Sequence, residues 1–312
     1  MPIEFTRIDH IAMGVEDVER QAEIFEGVFG FRRTMTWEAD GERGILFTFG
    51  DPARGDILWE VVQPTDSDSP LRGFLDSPRG PGVHHVGVQV ADLDATRTSL
   101  QALGIRPTSA STEHQLIVSA DGAGEGIQFR FFSDDTPPNA QRIEAPSTAT
   151  REETPSLGIV AFDHLSTAYP DRDTLSEHYA RMLGTRQVWR TPDGAWPDFG
   201  DAILEVPGSP MHWEVIQPIG DDSFIQGFLD RRGPAIHHVA FEVADFDAAK
   251  RACEYYELPT FDEHDDSTEG IRWRDAFIHP KFTGGLLTQI FWEQQPGVWE
   301  RSDKVRPAGF EG

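Results

Sequence analysis

Short apolar runs bounded by glycine, proline or aspartate alternate along this chain with single amphipathic stretches, and the same order returns four times. The first run, Phe5–Met13, ends near Gly14 and reads as a strand. Asp17 then stands where a helix N-cap belongs. Ala22, Phe25 and Phe29 follow as an apolar stripe, and Gly30 closes it. Three strand-like runs come next, around Arg33–Trp37, at Gly44–Phe49 and at Asp56–Val62. Between residues 82 and 132 the pattern repeats. A strand at Val83–Val90 leads to a helix capped by Asp92, with Leu93, Leu100 and Leu103 apolar and Gly104 as its stop. Strands at Gln115–Ser119 and Gly126–Phe132 follow.

Residues 159–217 restart the first unit. Val160–Ser166 (VAFDHLS) matches Arg7–Ala12 (RIDHIA), and Met211–Pro218 (MHWEVIQP) matches Ile57–Pro64 (ILWEVVQP), with a helix predicted over Asp173–Leu183 between them. Residues 236–292 restart the second unit, with a helix capped at Asp245 and a last strand at Leu286–Trp292. The phrases around these joins also echo, GFLD at 73 and 227 and a Gly-Pro before each His-His doublet. The order predicts an α+β chain of four βαβββ modules forming two cup-shaped mixed sheets. The expected division is 1–132 and 158–293 as two domains of two modules each. A linker rich in proline, serine and threonine spans 133–157, and a tail at 294–312 packs through Trp299. The pattern leaves open which module pairs with which.

Composition narrows the partners. A net charge of −26 excludes nucleic acid and anionic membranes, and it favours a neutral or cationic small molecule over a polyanion. Only a local cluster of arginines would override that field. No apolar run approaches the roughly 18 residues of a membrane span, and Met1–Phe5 has no signal-peptide character. The single cysteine, Cys253, falls in a helix interior, reads as a small buried apolar residue and fits a reducing compartment. A cytoplasmic monomer or homodimer is expected.

The candidate chemistry lies in histidines that recur in register. His10, His85, His164 and His238 occupy the same place on the first strand of the four modules. Alternation along a strand turns His84 and His237 to the opposite face, into packing. Glu60 and Glu214 each lie fifty residues after their histidine, on the last strand of modules one and three. Gln128 and Gln289 come from the last strands of modules two and four. Gln128 holds that place only if a gap is allowed; without one, Arg130 takes it. Two neutral imidazoles, a carboxylate and an amide oxygen suit a divalent ion with open positions. The predicted site is His164, Glu214, His238 and Gln289, with His10, Glu60, His85 and Gln128 as a second or vestigial one. The ion is one of Zn, Co, Mn, Ni or Fe. One is expected per chain, or two if the first half also binds.

Asp163-His164, Trp213–Pro218 and the phrase Gly227–Phe241 (GFLDRRGPAIHHVAF) resemble the vicinal oxygen chelate superfamily of glyoxalases, bleomycin-resistance proteins and dioxygenases. Methylmalonyl-CoA epimerases are the branch most similar to it. The four-module layout is also similar to that of epimerases of valiolone-type cyclitols. The resemblance implies paired modules closed around a metal that binds two neighbouring substrate oxygens. It also implies a general-base Glu near the strand before the Glu ligand. Matching the Ile-Leu pairs of the two halves sets Glu205 against Phe47, so only the second half has a carboxylate there. His212, two residues before Glu214, has Leu58 as its counterpart. The second half is therefore the expected working half, with Glu205 and His212 as the proton-transfer pair. One departure stands out: epimerases of this branch carry the carboxylate ligand late and the amide early, whereas here Glu214 is early and Gln289 late.

The expected activity is a metal-dependent epimerase or isomerase that moves a proton on a carbon next to a carbonyl through an enediolate. Its substrate would be a sugar- or cyclitol-like hydroxyketone or an acyl-CoA. The alternatives are an Fe(II) dioxygenase of the extradiol or hydroxyphenylpyruvate type and a non-enzymatic small-molecule binder like the bleomycin-resistance proteins.

Overall fold

The computed structural model describes residues 1–39, 41–54, 57–133, 154–195, 197–268 and 270–295. Residues 134–153 of the expected linker, and 296–312 of the expected tail with Trp299, lie outside the described residues. Among the described residues fifteen strands form two sheets. The first half contributes β1 (Arg7–Gly14), β2 (Arg32–Ala39), β3 (Glu42–Thr48), β4 (Leu58–Pro64), β5 (Gly82–Gln89), β6 (Gln115–Val118) and β7 (Gln128–Phe132). The second contributes β8 (Ile159–Ala168), β9 (Arg186–Arg190), β10 (Phe199–Glu205), β11 (His212–Pro218), β12 (Ala235–Val243), β13 (Thr260–Thr268), β14 (Ile271–Ile278) and β15 (Thr288–Glu293). The orders are β2-β3-β4-β1-β5-β7-β6 and β13-β14-β15-β12-β8-β11-β10-β9.

In each sheet the two first strands of the modules, β1 with β5 and β8 with β12, pair antiparallel at the centre. The last strands then add parallel on either side, β4 to β1, β7 to β5, β11 to β8 and β15 to β12. Module one therefore pairs with two, and three with four. Three modules are βαβββ. Among the described residues the second module has only two strands after its helix, which leaves the first sheet one strand short of the second.

Helices follow the three caps read from sequence, Asp17, Asp92 and Asp245, and the helix expected from Asp173 starts one residue earlier with Asp171 as its cap. In α1 (Val18–Ile24) the Asp17 carboxylate accepts from the backbone N–H groups of Glu19 and Arg20, and the chain continues as a π-helical turn, Phe25–Phe29, into Gly30. Asp92, Asp171 and Asp245 cap α3 (Leu93–Ala102), α4 (Arg172–Leu183) and α6 (Phe246–Tyr255) in the same way. Gly30 and Gly184 end their helices at φ 73° and 72°, where a side chain would be strained. Two further helices, α2 (Pro70–Leu75) and α5 (Phe224–Arg232), join the modules within each half. The sequence pattern did not separate them from loops because each is short, and the echoed GFLD phrase lies inside them.

One apolar core runs through both halves. Phe29, Phe31 and Trp59 of the first half meet Phe241 of the second with ring centres 5.7–5.8 Å apart, and Phe129 meets Trp213 at 5.7 Å. The other face of each sheet carries the histidines and smaller clusters under α2 and α5. No helix among the described residues is long and apolar enough to cross a membrane.

Candidate metal centre

Each sheet gathers two histidines and a glutamate on one face. In the second sheet His164 Nε2 lies 3.1 Å from His238 Nε2, and Glu214 Oε2 is 3.9 and 3.4 Å from them. In the first, His10 Nε2 lies 3.3 Å from His85 Nε2, and Glu60 Oε2 is 3.5 and 3.7 Å from them. Strand register produces this convergence, because Glu214 pairs with Ser166 and His238 with the same Ser166 from the other side. Two ring nitrogens and a carboxylate oxygen from three strands thus meet at one point.

Four β-bulges shape the surroundings. The extra residue of each is the neighbour of a triad histidine: Asp9 beside His10, His84 beside His85, Asp163 beside His164, and His237 beside His238. A bulge cancels alternation locally and re-aims a side chain. The histidines expected to face away, His84 and His237, are therefore turned to their partners, with Nδ1 atoms 3.1 and 3.0 Å apart. This corrects the alternation reading. Their rings also rest on Phe74 of α2 and on Phe224 and Phe228 of α5.

In the other two bulges Asp9 and Asp163 each accept from the neighbouring histidine Nδ1–H at 2.8 Å. A carboxylate on Nδ1 fixes the tautomer and leaves the Nε2 lone pair for a cation. Burial first, then the charges of His164 and His237, hold His238 well below the ordinary imidazole range, so it too offers a lone pair.

Two ring nitrogens 3.1 Å apart, that of His164 with its proton on the far side of the ring, suit a shared cation. The oxygens of the second site point the same way: Glu214 Oε2 and Gln289 Oε1 are buried and have no hydrogen-bond donor. Gln289 is held in that orientation by Asp275, whose Oδ2 accepts from Gln289 Nε2 at 2.7 Å, while Asp275 Oδ1 meets His264 Nδ1 at 2.8 Å. Burial raises the Asp275 carboxyl against these two hydrogen bonds. The donor set, two imidazoles, one carboxylate and one amide oxygen, fits a divalent ion with positions left for substrate.

The expected counterpart of Gln289 does not hold. Gly87 of β5 pairs with Arg130, as Ala240 of β12 pairs with Gln289, so Arg130 occupies that register position. Gln128 sits two residues away, opposite His85. The ungapped alternative is the one the sheet adopts.

Glu205 is also placed differently from the sequence reading. Leu204 pairs with Trp213 as Phe47 pairs with Trp59, so Phe47 matches Leu204 and not Glu205. Glu205 ends β10 opposite His212. Its side chain is 48% exposed and pairs with Arg186, with Nε at 2.9 Å from Oε2. That is a rim ion pair. His212 is buried opposite His164 in the parallel ladder, where the first half has Leu58.

The carboxylate that distinguishes the two halves is Asp201, which sequence matching passed over. It pairs with Ile216, two residues beyond Glu214 and on the same face, and its counterpart in the first half is Gly44, paired with Val62. Asp201 is buried; the Thr191 hydroxyl donates to its Oδ1, and its own N–H donates to Thr191 Oγ1 at 3.2 Å. Burial first, then the nearby Glu214 charge, push the Asp201 carboxyl well above its usual range. The turn between these strands is shorter in the second half, nine residues from Leu204 to Trp213 against twelve from Phe47 to Trp59, so counting along the chain does not bring Asp201 to Gly44.

A family profile described as Glyoxalase/Bleomycin resistance protein/Dioxygenase superfamily matches residues 9–118 and 163–274. The mitochondrial methylmalonyl-CoA epimerase of Homo sapiens is 28% identical over 161 residues, covering 48% of this chain and 89% of that protein. An ethylmalonyl-CoA/methylmalonyl-CoA epimerase of Cereibacter sphaeroides is 28% identical over 100 residues, covering 32% of this chain and 72% of that one. Among solved structures, a mutant 4-hydroxymandelate synthase from Streptomyces coelicolor superposes with a TM-score of 0.71 at 16% identity, over 96% of each chain. With the profile spanning both halves, this chain belongs to the glyoxalase/bleomycin resistance protein/dioxygenase superfamily.

Proposed function

We propose that the second half is a metal-dependent proton-transfer site that epimerises or isomerises a substrate at a carbon next to a carbonyl. One observation carries this reading. Glu214 Oε2 and Gln289 Oε1 are buried oxygens without donors, and Glu214 lies beside two histidine Nε2 atoms, that of His164 with its ring proton directed to Asp163. His164, Glu214, His238 and Gln289 would hold the ion, which as a Lewis acid stabilises negative charge on the carbonyl oxygen of the substrate.

The chain's own groups handle the proton. Asp201 is a buried carboxyl on the same face with its proton affinity raised, so it can take a proton from a carbon acid and give it back. His212, buried two residues before Glu214 on the same strand, is the candidate for delivery to the opposite side. Glu205, expected from sequence as the base, is a weaker choice because Arg186 neutralises it at the rim. Asp163 and His237 orient the ligand rings, and Asp275 orients the ligand amide.

Named relatives are epimerases of CoA esters, while the net charge of −26 favours an uncharged hydroxyketone. Both substrate classes have a second oxygen within chelating reach of the carbonyl. The test is solvent deuterium wash-in at the α-carbon of one compound from each class, with metal-loaded protein under argon. Exchange with either supports the proposal; no exchange with any metal would sink it.

A dioxygenase is the second reading, favoured by the two-histidine, one-carboxylate composition of the triad, which also suits Fe(II). Oxygen uptake by the iron-loaded protein, with no exchange under argon, would establish it instead.

A further inference from the structure

The first half keeps His10, Glu60 and His85 within 3.3–3.7 Å of one another, yet its fourth corner differs in kind. We infer that this triad is closed to metal, with the Arg130 guanidinium standing as its cation and the Trp37 indole filling the space that a ligand would need. The inference rests on the reading of the second triad as the metal site.

Arg130 takes the register position of Gln289. An amide offers an oxygen to a cation; a guanidinium has five donors, no acceptor and a permanent positive charge. It cannot ligate, and it repels a dication in a buried setting where screening is weak. Its side chain is 14% exposed, and its NH1 lies 3.6 Å from Glu42 Oε2. The charge reaches the triad, acting on His10, Glu60 and His85.

One oxygen of the carboxylate is also committed: Trp37 Nε1–H donates to Glu60 Oε1 at 2.7 Å, while Oε2 faces the histidines. Trp37 pairs with Gly44, and the indole lies over that glycine so closely that a Cβ there would come within 2.3 Å of the ring. In the second half Thr191 and Asp201 stand at these two places. A glycine that admits an indole has thus replaced a proton-transfer carboxylate. Met35, Leu46, Leu58 and Phe74 fill out the apolar cluster around Trp37.

The experiment is cobalt loading of the full chain after chelator treatment, with bound metal counted by mass spectrometry and its ligand field read by visible absorption. One equivalent is expected, retained by Glu60→Gln and His85→Ala and lost by His238→Ala. The double variant Arg130→Gln/Trp37→Thr is expected to gain a second equivalent, removed again by adding Glu60→Gln. Two equivalents in the wild type, one of them lost with Glu60→Gln, would overturn the inference. So would a folded double variant, checked by circular dichroism, that stays at the wild-type count. A wild type that binds no cobalt would overturn the proposed function instead, and the gain in the double variant would still decide this one.

Discussion

Arg130 and Gln289 occupy one register position in two sheets of the same design: each pairs with the residue that faces the first histidine of its sheet, Gly87 opposite His10 and Ala240 opposite His164. The duplicated chain has kept the triad twice and its surroundings once. Gln289 rests on Asp275, and the second sheet adds Asp201, Thr191 and His212, all polar. Arg130 meets Glu42, and the first sheet has Trp37, Gly44 and Leu58 at the places of Thr191, Asp201 and His212. Catalytic chemistry is therefore expected from one half, with the other half completing the shared core.

The carboxylates on the β-bulges give the sharpest contrast between the halves. Asp163 fixes the His164 ring through Nδ1 at 2.8 Å, and Asp9 does the same for His10. Asp163→Asn should weaken metal binding by roughly 10- to 100-fold. Asp9→Asn should leave it unchanged, because His10 holds no ion. Competition against a chelating dye measures both.

Much of this was legible in the sequence, and the failures have local physical causes. The Asp-His and His-His doublets located all four triad histidines, because a repeated strand phrase reports register directly. Alternation then misplaced His84 and His237, since a one-residue bulge is invisible to a period-two pattern. The Gln128–Gln289 match needed a gap, and the ladder between β5 and β7 has none. Glu205 falls opposite Phe47 in the sequence match because the Ile-Leu pairs of the two halves are offset by one residue in the sheet, and a one-residue slip moves every side chain to the other face. The burial of Asp201 is not visible in the chain order.

Asp201 and Glu205 should therefore separate cleanly. Asp201→Asn is expected to lower the rate of α-proton exchange by on the order of 10²–10⁴ with the metal still bound. Glu205→Gln should change it only slightly, since that carboxylate is half exposed and already paired with Arg186. Deuterium wash-in on metal-verified samples makes the comparison. Equal losses from both variants would return Glu205 to the reaction.

The lone thiol gives a pH test. Burial, as the largest influence, pushes Cys253 up from an ordinary value of 9.0 to about 11. The folded thiol stays protonated where the unfolded one ionises, so its contribution to stability is complete below pH 9.0 and is lost as pH rises toward about 11. A thiol reagent at about pH 8 should label the denatured chain and spare the native one. The urea midpoint of the wild type should fall more steeply than that of Cys253→Ala across the same alkaline window.

Phe241 tests whether the two sheets stand or fall together. Its ring is fully buried and touches Phe29, Phe31, Phe49 and Trp59 of the first half as well as Phe162 of its own. Truncating a buried phenylalanine costs about 3–5 kcal/mol, and here the cavity would open between the halves. Because the lost contacts belong to both sheets, Phe241→Ala should lower a single unfolding transition, with tryptophan fluorescence and far-ultraviolet circular dichroism still coincident. Independent halves would behave differently: the variant would show two transitions, with the one belonging to the second sheet shifted and the other in place. The shared aromatic core predicts the first outcome. It would mean that neither sheet keeps its fold once the other is lost.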